Sequence, residues 1–263
     1  MIDEYRKSYF DLKSIHASSL TQDEFRRVSA TVASIPKSWH DILDVGCGDG
    51  RLSRQLIASG RNCVGVDWSS ESLKHYPSSK VVHDIRNPFN FDKKFDGAIC
   101  CEVLEHLREC EISQVIANIC SVTANGFLIS VPAREPLESQ MVKCAKCNRH
   151  YHVWGHCRKY TSFNDVDCVV GHKSCKRVFI ESQGFRNSES LAKIQNRLGF
   201  GPYSSSYTCQ YCGAQQVRQG SPTRLNLFLS RLIEVLQRGG SMFRRPQGWF
   251  VCLYLPKSLS ENS

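Results

Sequence analysis

The sequence predicts an α/β fold built on a mainly parallel sheet, doubly wound with helices on both faces. Three observations predict it. Short apolar stretches alternate with helix-spaced segments from Asp41 to Val131, the pattern of successive strand–helix–strand units. The first of these stretches runs straight into a glycine turn, Gly46-Cys47-Gly48-Asp49-Gly50. Acidic residues then sit at the ends of the first three strands, at Asp44, Asp67 and Asp84, where open parallel sheets bind ligands.

The elements follow in order. Residues 1–40 read as a polar helical segment in which Thr21-Gln22-Asp23-Glu24 opens a helix that Pro36 ends. Strands are expected at 41–45, 62–67, around Val81-Val82, at 95–101 and at 126–131, the last stopped by Pro132. Helices are expected through Leu52, Leu56 and Ile57, from Ser69 to Leu73, and through Ile112, Val115, Ile116 and Ile119. Residues 41–139 form the ligand-binding core. Residues 140–215 read as an insertion, with a helix-like stretch from 161 to Gly184 and a polar segment beyond it. Residues 216–263 return to the core. There Thr223 to Leu236, with Leu225, Phe228, Leu229, Leu232, Ile233 and Leu236 on one side, reads as a helix expected to pack against the sheet. Trp249 to Leu255 is a buried last strand.

Composition bounds the partners. The 263 residues are 41 % hydrophobic and 22 % charged, which excludes a mainly disordered chain. No apolar run approaches the roughly 18 residues of a spanning helix, and the N-terminus lacks the apolar stretch of a signal peptide. A cytoplasmic protein with no membrane partner is therefore expected. The net charge of +9 permits an anionic partner, but the basic residues read as scattered, so nucleic acid is disfavoured. Of the fourteen cysteines, Cys63, Cys100, Cys101, Cys120 and Cys252 lie in expected strands and helices and read as small hydrophobes, not as a disulfide framework.

The glycine turn has the spacing G-x-G-x-G behind an acid. It matches neither the dinucleotide fingerprint G-x-G-x-x-G nor a P-loop. Asp44 would repel a phosphate and attract an amine. Asp67, 23 residues further on, suits the two hydroxyls of a ribose, and Asp84 suits an adenine amino group. With these residues the chain resembles the class I S-adenosylmethionine-dependent methyltransferases, over roughly residues 20–133 and the last strand. The resemblance implies a Rossmann-like methyltransferase fold. Asp44, Gly46, Cys47 and Gly48 would hold the methionine end of S-adenosylmethionine. Asp67 and Trp68 would lie at the ribose, Asp84 and Ile85 at the adenine, and Cys101 near the sulfonium.

Glu102-Val103-Leu104-Glu105-His106 follows the fourth strand. On a helix Glu102 and His106 share a face, and with Glu105 they offer donors for a divalent cation or a proton. The string resembles that of quinone-biosynthesis O-methyltransferases and small-RNA 2′-O-methyltransferases, which implies a second divalent metal at Glu102, Glu105 and His106. The same string also occurs in methyltransferases without a metal there, and a cofactor-pocket or hydrogen-bonding role is the preferred reading over the metal site.

Cys144-x-x-Cys147 and Cys209-x-x-Cys212-Gly213 have zinc-knuckle spacing, with 61 residues between them. A structural zinc site made by these four cysteines is expected; Cys144, Cys147, His152 and His156 form the alternative set. The stretch Cys144 to Tyr160 also resembles bacterial methyltransferases with a zinc knuckle after the fifth strand, which implies small-molecule or glycan-like acceptors. His152, His156 and Arg158 then become acceptor-pocket candidates. His156 is the first choice of general base, with His106 and Glu102 beside it; a histidine merely hydrogen-bonded inside the insertion is the bland reading. The expected function is O-methylation of a small or glycan-like molecule. N-methylation, RNA 2′-O-methylation and a non-catalytic zinc-containing adaptor are the alternatives.

Overall fold

A computed structural model describes residues 11, 20–183, 188–197, 207–215, 224–240 and 245–256. Helix α1 (Gln22–Ser34) opens at the expected Thr21, whose side chain accepts from the Glu24 N–H while the Glu24 carboxylate accepts from the Thr21 N–H. Strand β1 (Asp41–Val45) and helix α2 (Arg51–Ala58) flank the glycine turn. There follow β2 (Asn62–Asp67), the short helix α3 (Ser70–Leu73), β3 (Lys80–Val82), β4 (Gly97–Cys101), α4 (Glu109–Val122) and β5 (Phe127–Ala133). Residues 1–10 and 12–19, Gly184, and Thr223 of the expected C-terminal helix lie outside the described residues.

Seven strands form the main sheet in the order β3-β2-β1-β4-β5-β9-β8, where β8 is Lys176–Glu181 and β9 is Gly248–Tyr254. Strands β1 to β5 pair in parallel, and β9 runs antiparallel between β5 and β8. Period-two alternation feeds a core on each face. Leu43 and Val45, Ala98 and Cys100, and Ile129 and Val131 join Ile112, Val115, Ile116 and Ile119 of α4. Ile42, Ile99 and Leu128 face the other way, onto Val28 of α1 and Leu52 and Leu56 of α2. Each such buried aliphatic side chain contributes about 1.5–3 kcal/mol relative to exposure.

Several expectations change. β5 runs through Pro132, which pairs with Trp249 of β9, while pairing with β4 ends at Ser130. The proline nitrogen therefore occupies an edge where no ladder donor is required. The helix-like stretch 161–184 divides into helix α5 (Phe163–Val170) and β8, both part of the main layer, so 140–215 is not one continuous insertion. Cys120 is exposed on α4, whereas Cys63, Cys100 and Cys252 are buried as expected. Outside the main sheet lie β6 (Met141–Lys143), paired antiparallel with β7 (His150–His152), then α6 (Glu189–Arg197) and α7 (Arg224–Gly239). Among the described elements the last of these packs on α6 and not on the sheet, and it leaves Leu225, Phe228, Leu232, Val235 and Leu236 exposed. All fourteen cysteines are free.

Candidate active site

The strand order reverses between β1 and β4, the switch point at which open parallel sheets hold ligands. A cavity of about 340 Å³ opens there, lined by Asp44, Gly46, Cys47, Gly48, Asp67, Trp68, Asp84, Ile85 and Cys101, with Glu102 and His106 at its other end. Helix α1 closes one side through Glu24, Arg27 and Val28. Nothing in the sequence marked that helix as part of a site.

The glycine turn is set by its own backbone. Gly46 has φ of 70°, and a Cβ there would lie 2.4 Å from Val103 Cγ2. Gly48 has φ of 53° and meets nothing within 4 Å, so its missing side chain leaves open space against the cavity. Its N–H donates to Asp67 Oδ2 (2.9 Å), and the Ser69 N–H donates to Asp67 Oδ1 (2.8 Å). Asp67 thus ties the first and second strand loops together. Burial raises its pKa against these hydrogen bonds.

Asp44 is buried and accepts from Ser53 Oγ (2.6 Å), which in turn accepts from the Tyr76 hydroxyl (2.8 Å). Burial, reinforced by nearby Asp67 and Asp49, pushes its carboxyl up to about 7. A buried acid so perturbed suits a cationic ligand group. Asp84 is differently placed. Its carboxylate is gripped by Arg86 (2.6–3.0 Å), whose guanidinium also lies 5.5 Å from the centre of the Trp68 ring. The Asp84 carboxylate is therefore already engaged by a cation.

The Glu102–His106 segment departs from the helical expectation. Glu102 has φ of 59°, and a 3-10 turn starts only at Leu104. Glu102 turns away from His106, accepting from Ser130 Oγ (2.8 Å) and Trp249 Nε1 (3.0 Å). The expected donor set Glu102, Glu105 and His106 is replaced by Glu105, His106 and His156, whose donor atoms lie within 4.8 Å of one another. Glu105 is buried with both carboxylate oxygens lacking a hydrogen-bond partner; burial, then the charge of Glu102, raises its pKa well above the carboxylate range.

Backbone bonds bring residues about 50 apart in sequence to this point. The Cys157 N–H donates to Glu105 O (2.8 Å), and the His106 and His156 ring centres lie 4.8 Å apart. His156 Nδ1 lies 2.5 Å from Glu135 Oε2, and His152 stacks on His156 at 4.7 Å. His152 Nδ1 accepts from the N–H groups of Trp154 (3.3 Å) and His156 (3.2 Å), which leaves its proton on Nε2, 3.7 Å from Glu135 Oε1. Glu135 was not singled out in the sequence, because an acid just past a strand has no distinguishing spacing. Arg158, an expected pocket residue, instead reaches Glu109 (3.4 Å).

The two cysteine pairs meet. Cys144, Cys147, Cys209 and Cys212 place their sulfurs within 4.8 Å of one another, with Cys144–Cys212 and Cys147–Cys209 both at 3.7 Å. A tetrahedron of thiolates at about 2.3 Å from zinc has edges of about 3.8 Å. Asn148 (φ 58°) and Gly213 (φ 68°), each directly after a second cysteine, turn the chain back. The histidines of the alternative set join Glu135 instead. Gln210, between the second pair, donates to His152 O (2.9 Å), so the cysteine cluster braces the histidine loop.

Residues 42–126 match a family model described as a methyltransferase domain. A ubiquinone biosynthesis O-methyltransferase of Actinobacillus pleuropneumoniae is 36 % identical over 80 residues, 25 % of this chain and 34 % of that protein. One from Rickettsia conorii is 27 % identical over 115 residues, 40 % of this chain and 37 % of that protein. The chain thus spans little more than a third of these curated relatives. Among solved structures, the complex of the Haloferax volcanii Trm112 methyltransferase activator with a methyltransferase aligns at a TM-score of 0.50 and 13 % identity. The match covers 96 % of this chain and 95 % of that one, and it speaks to the fold. Residues 42–126 are thus a methyltransferase domain set in a mainly parallel, doubly wound sheet.

Proposed function

We propose that the chain transfers a methyl group from S-adenosylmethionine to a hydroxyl of a small-molecule or glycan-like acceptor. The observation that carries this reading is the continuity of one cavity, from the Asp44–Gly48 turn to Glu102 and His106, with His156 next to His106. The relatives' role as O-methyltransferases of ubiquinone biosynthesis supports a hydroxyl as the acceptor atom. When bound, S-adenosylmethionine supplies an electrophilic methyl on a sulfonium, so the protein has mainly to place the acceptor.

Asp44 attracts the ammonium of the methionine end, and its raised pKa falls when that cation binds. Asp67 keeps its two backbone donors and presents its outer lone pairs to the ribose. Trp68 and Ile85 flank the adenine. Asp84 contributes chiefly by holding Arg86 against Trp68. At the other end Glu135 orients His156: Nδ1 donates to the carboxylate, leaving Nε2 basic and able to accept the hydroxyl proton. Glu102 acts on the cavity wall, tied to Ser130 and Trp249. Four thiolates hold a structural zinc that keeps Gln210, and through it the histidine loop, in place.

A second reading of the acceptor end rests on the buried, unpartnered carboxylate of Glu105. A divalent cation held by Glu105, His106 and His156 would satisfy it and would lower the pKa of a nearby hydroxyl. Turnover that vanishes on chelation and returns with magnesium or manganese, zinc content unchanged, selects this reading.

Calorimetric titration with S-adenosylmethionine tests the main proposal. Binding is expected, and Asp67→Ala should weaken it by about 1.5–3 kcal/mol, the scale of charge-assisted hydrogen bonds. Absence of binding at millimolar ligand would make the chain a scaffold and not an enzyme. With labelled cofactor and a cell extract, label should enter small molecules or glycans; label in RNA or on amines would reassign the acceptor.

A further inference from the structure

Helix α7 carries a feature that neither the cavity nor the cysteine cluster uses. Leu225, Phe228, Leu232, Val235 and Leu236 are 46–65 % exposed. At 100° per residue they fall within an arc of about 100°. Among the described elements its main contact is with α6, with Ile233 buried. A continuous apolar stripe of this kind, left in water, marks an interaction surface.

Charge says what kind. Arg231 and Arg238, seven residues apart and both exposed, lie along one border of the stripe. Residues 216–245 contain six arginines (218, 224, 231, 238, 244 and 245) against one acidic residue, Glu234. This stretch supplies more than half of the net charge of +9, so the basic residues are concentrated and not scattered. An apolar helical face bordered by arginines is suited to the headgroup–acyl boundary of an anionic bilayer. Two copies pairing through the same face would instead bring arginine rows together with a single glutamate on each helix to offset them. The lack of a spanning helix among the described residues does not bear on a helix that lies in the surface plane.

The position of α7 fits such docking. It packs on α6, which packs on the 3-10 turn Leu137–Gln140, and Asn196 Nδ2 of α6 donates to Glu138 O at 2.6 Å. That turn begins two residues after Glu135. We infer that the exposed face of α7 docks the protein on an anionic lipid surface, beside the acceptor end of the cavity. The inference stands apart from the acceptor assignment, because it rests on the face alone.

Vesicle flotation with the full chain tests it, using phosphatidylcholine vesicles with and without phosphatidylglycerol. The protein should float with the anionic vesicles at low salt, about tenfold less with the neutral ones, and progressively less as salt rises. Phe228→Glu with Val235→Glu should reduce flotation about tenfold while S-adenosylmethionine affinity stays unchanged. If that pair disturbs folding, Arg231→Glu should still weaken anionic binding. Wild-type protein that floats with neither vesicle overturns the inference, as do variants that float like wild type. Light scattering that shows a dimer broken by Phe228→Glu, with no vesicle binding, would assign the face to a second copy.

Discussion

The Asp44 end of the cavity and the histidine cluster that meets the cavity at His106 are built in different ways. The end at Asp44 is made by one short run of chain: β1, the glycine turn and the start of α2, with Asp67 reaching across from the neighbouring strand through two backbone hydrogen bonds. The histidine cluster, which meets the cavity at His106, is assembled from four separate places: Glu105 and His106 after β4, Glu135 after β5, His152 at the end of β7 with His156 beyond it, and Gln210 from the second cysteine pair. The first end depends on local backbone geometry. The second depends on long-range contacts and, in our proposal, on a zinc ion some way from the chemistry. A change to the first should therefore alter affinity, and a change to the second should alter turnover.

Mutating the assembled end tests that division most severely. His156→Ala should lower turnover by about 100- to 10,000-fold, the range for loss of a general base, with cofactor affinity nearly intact by calorimetry. A variant with full activity would remove His156 from the mechanism. Next in size is Cys209→Ser with Cys212→Ser. Elemental analysis should fall from about one zinc per chain to none, and loss of the brace on the histidine loop should cost about 100-fold in turnover through misplacement. Full zinc content in this variant would move the metal to a set containing histidine.

The smallest effect belongs to the local end and concerns pH. In the free protein the Asp44 carboxyl lies at about 7, above its ordinary 3.8. The cofactor ammonium favours the ionised form, so binding releases a proton below pH 7. Affinity should then fall by up to about tenfold per pH unit as pH drops from 7 towards 5. Asp44→Asn should flatten that slope. The sign for stability is opposite. The folded state holds this proton more tightly than the unfolded state, so the contribution of Asp44 to stability declines as pH rises from about 4 to 7.

How much could be read from the chain follows from the same contrast. The glycine turn, the capping residues of α1 and the period-two strands were legible because each is a demand of the local backbone: a positive φ, an orphan N–H group, an alternating pair of faces. That Asp44, Asp67 and Asp84 line one cavity was legible because the carboxyl ends of neighbouring parallel strands converge at the switch point. Glu102 was misread as the helical neighbour of His106, because its left-handed backbone is favoured only once Ser130 and Trp249 hold its carboxylate. Glu135 carried no local signal at all.

By itself the sequence determined the alternating layer, the turn that opens the switch point, and the two knuckles with thiolate spacing. Tertiary structure alone decided that β9 enters the sheet between β5 and β8, that the two cysteine pairs close on each other, that Glu135 joins His152 and His156, and that α7 keeps its apolar face in solvent. The physical reason is one of range. A dihedral preference or a hydrophobic period is specified within a few residues, whereas a partner across the fold is selected by which surfaces remain once the local elements have packed.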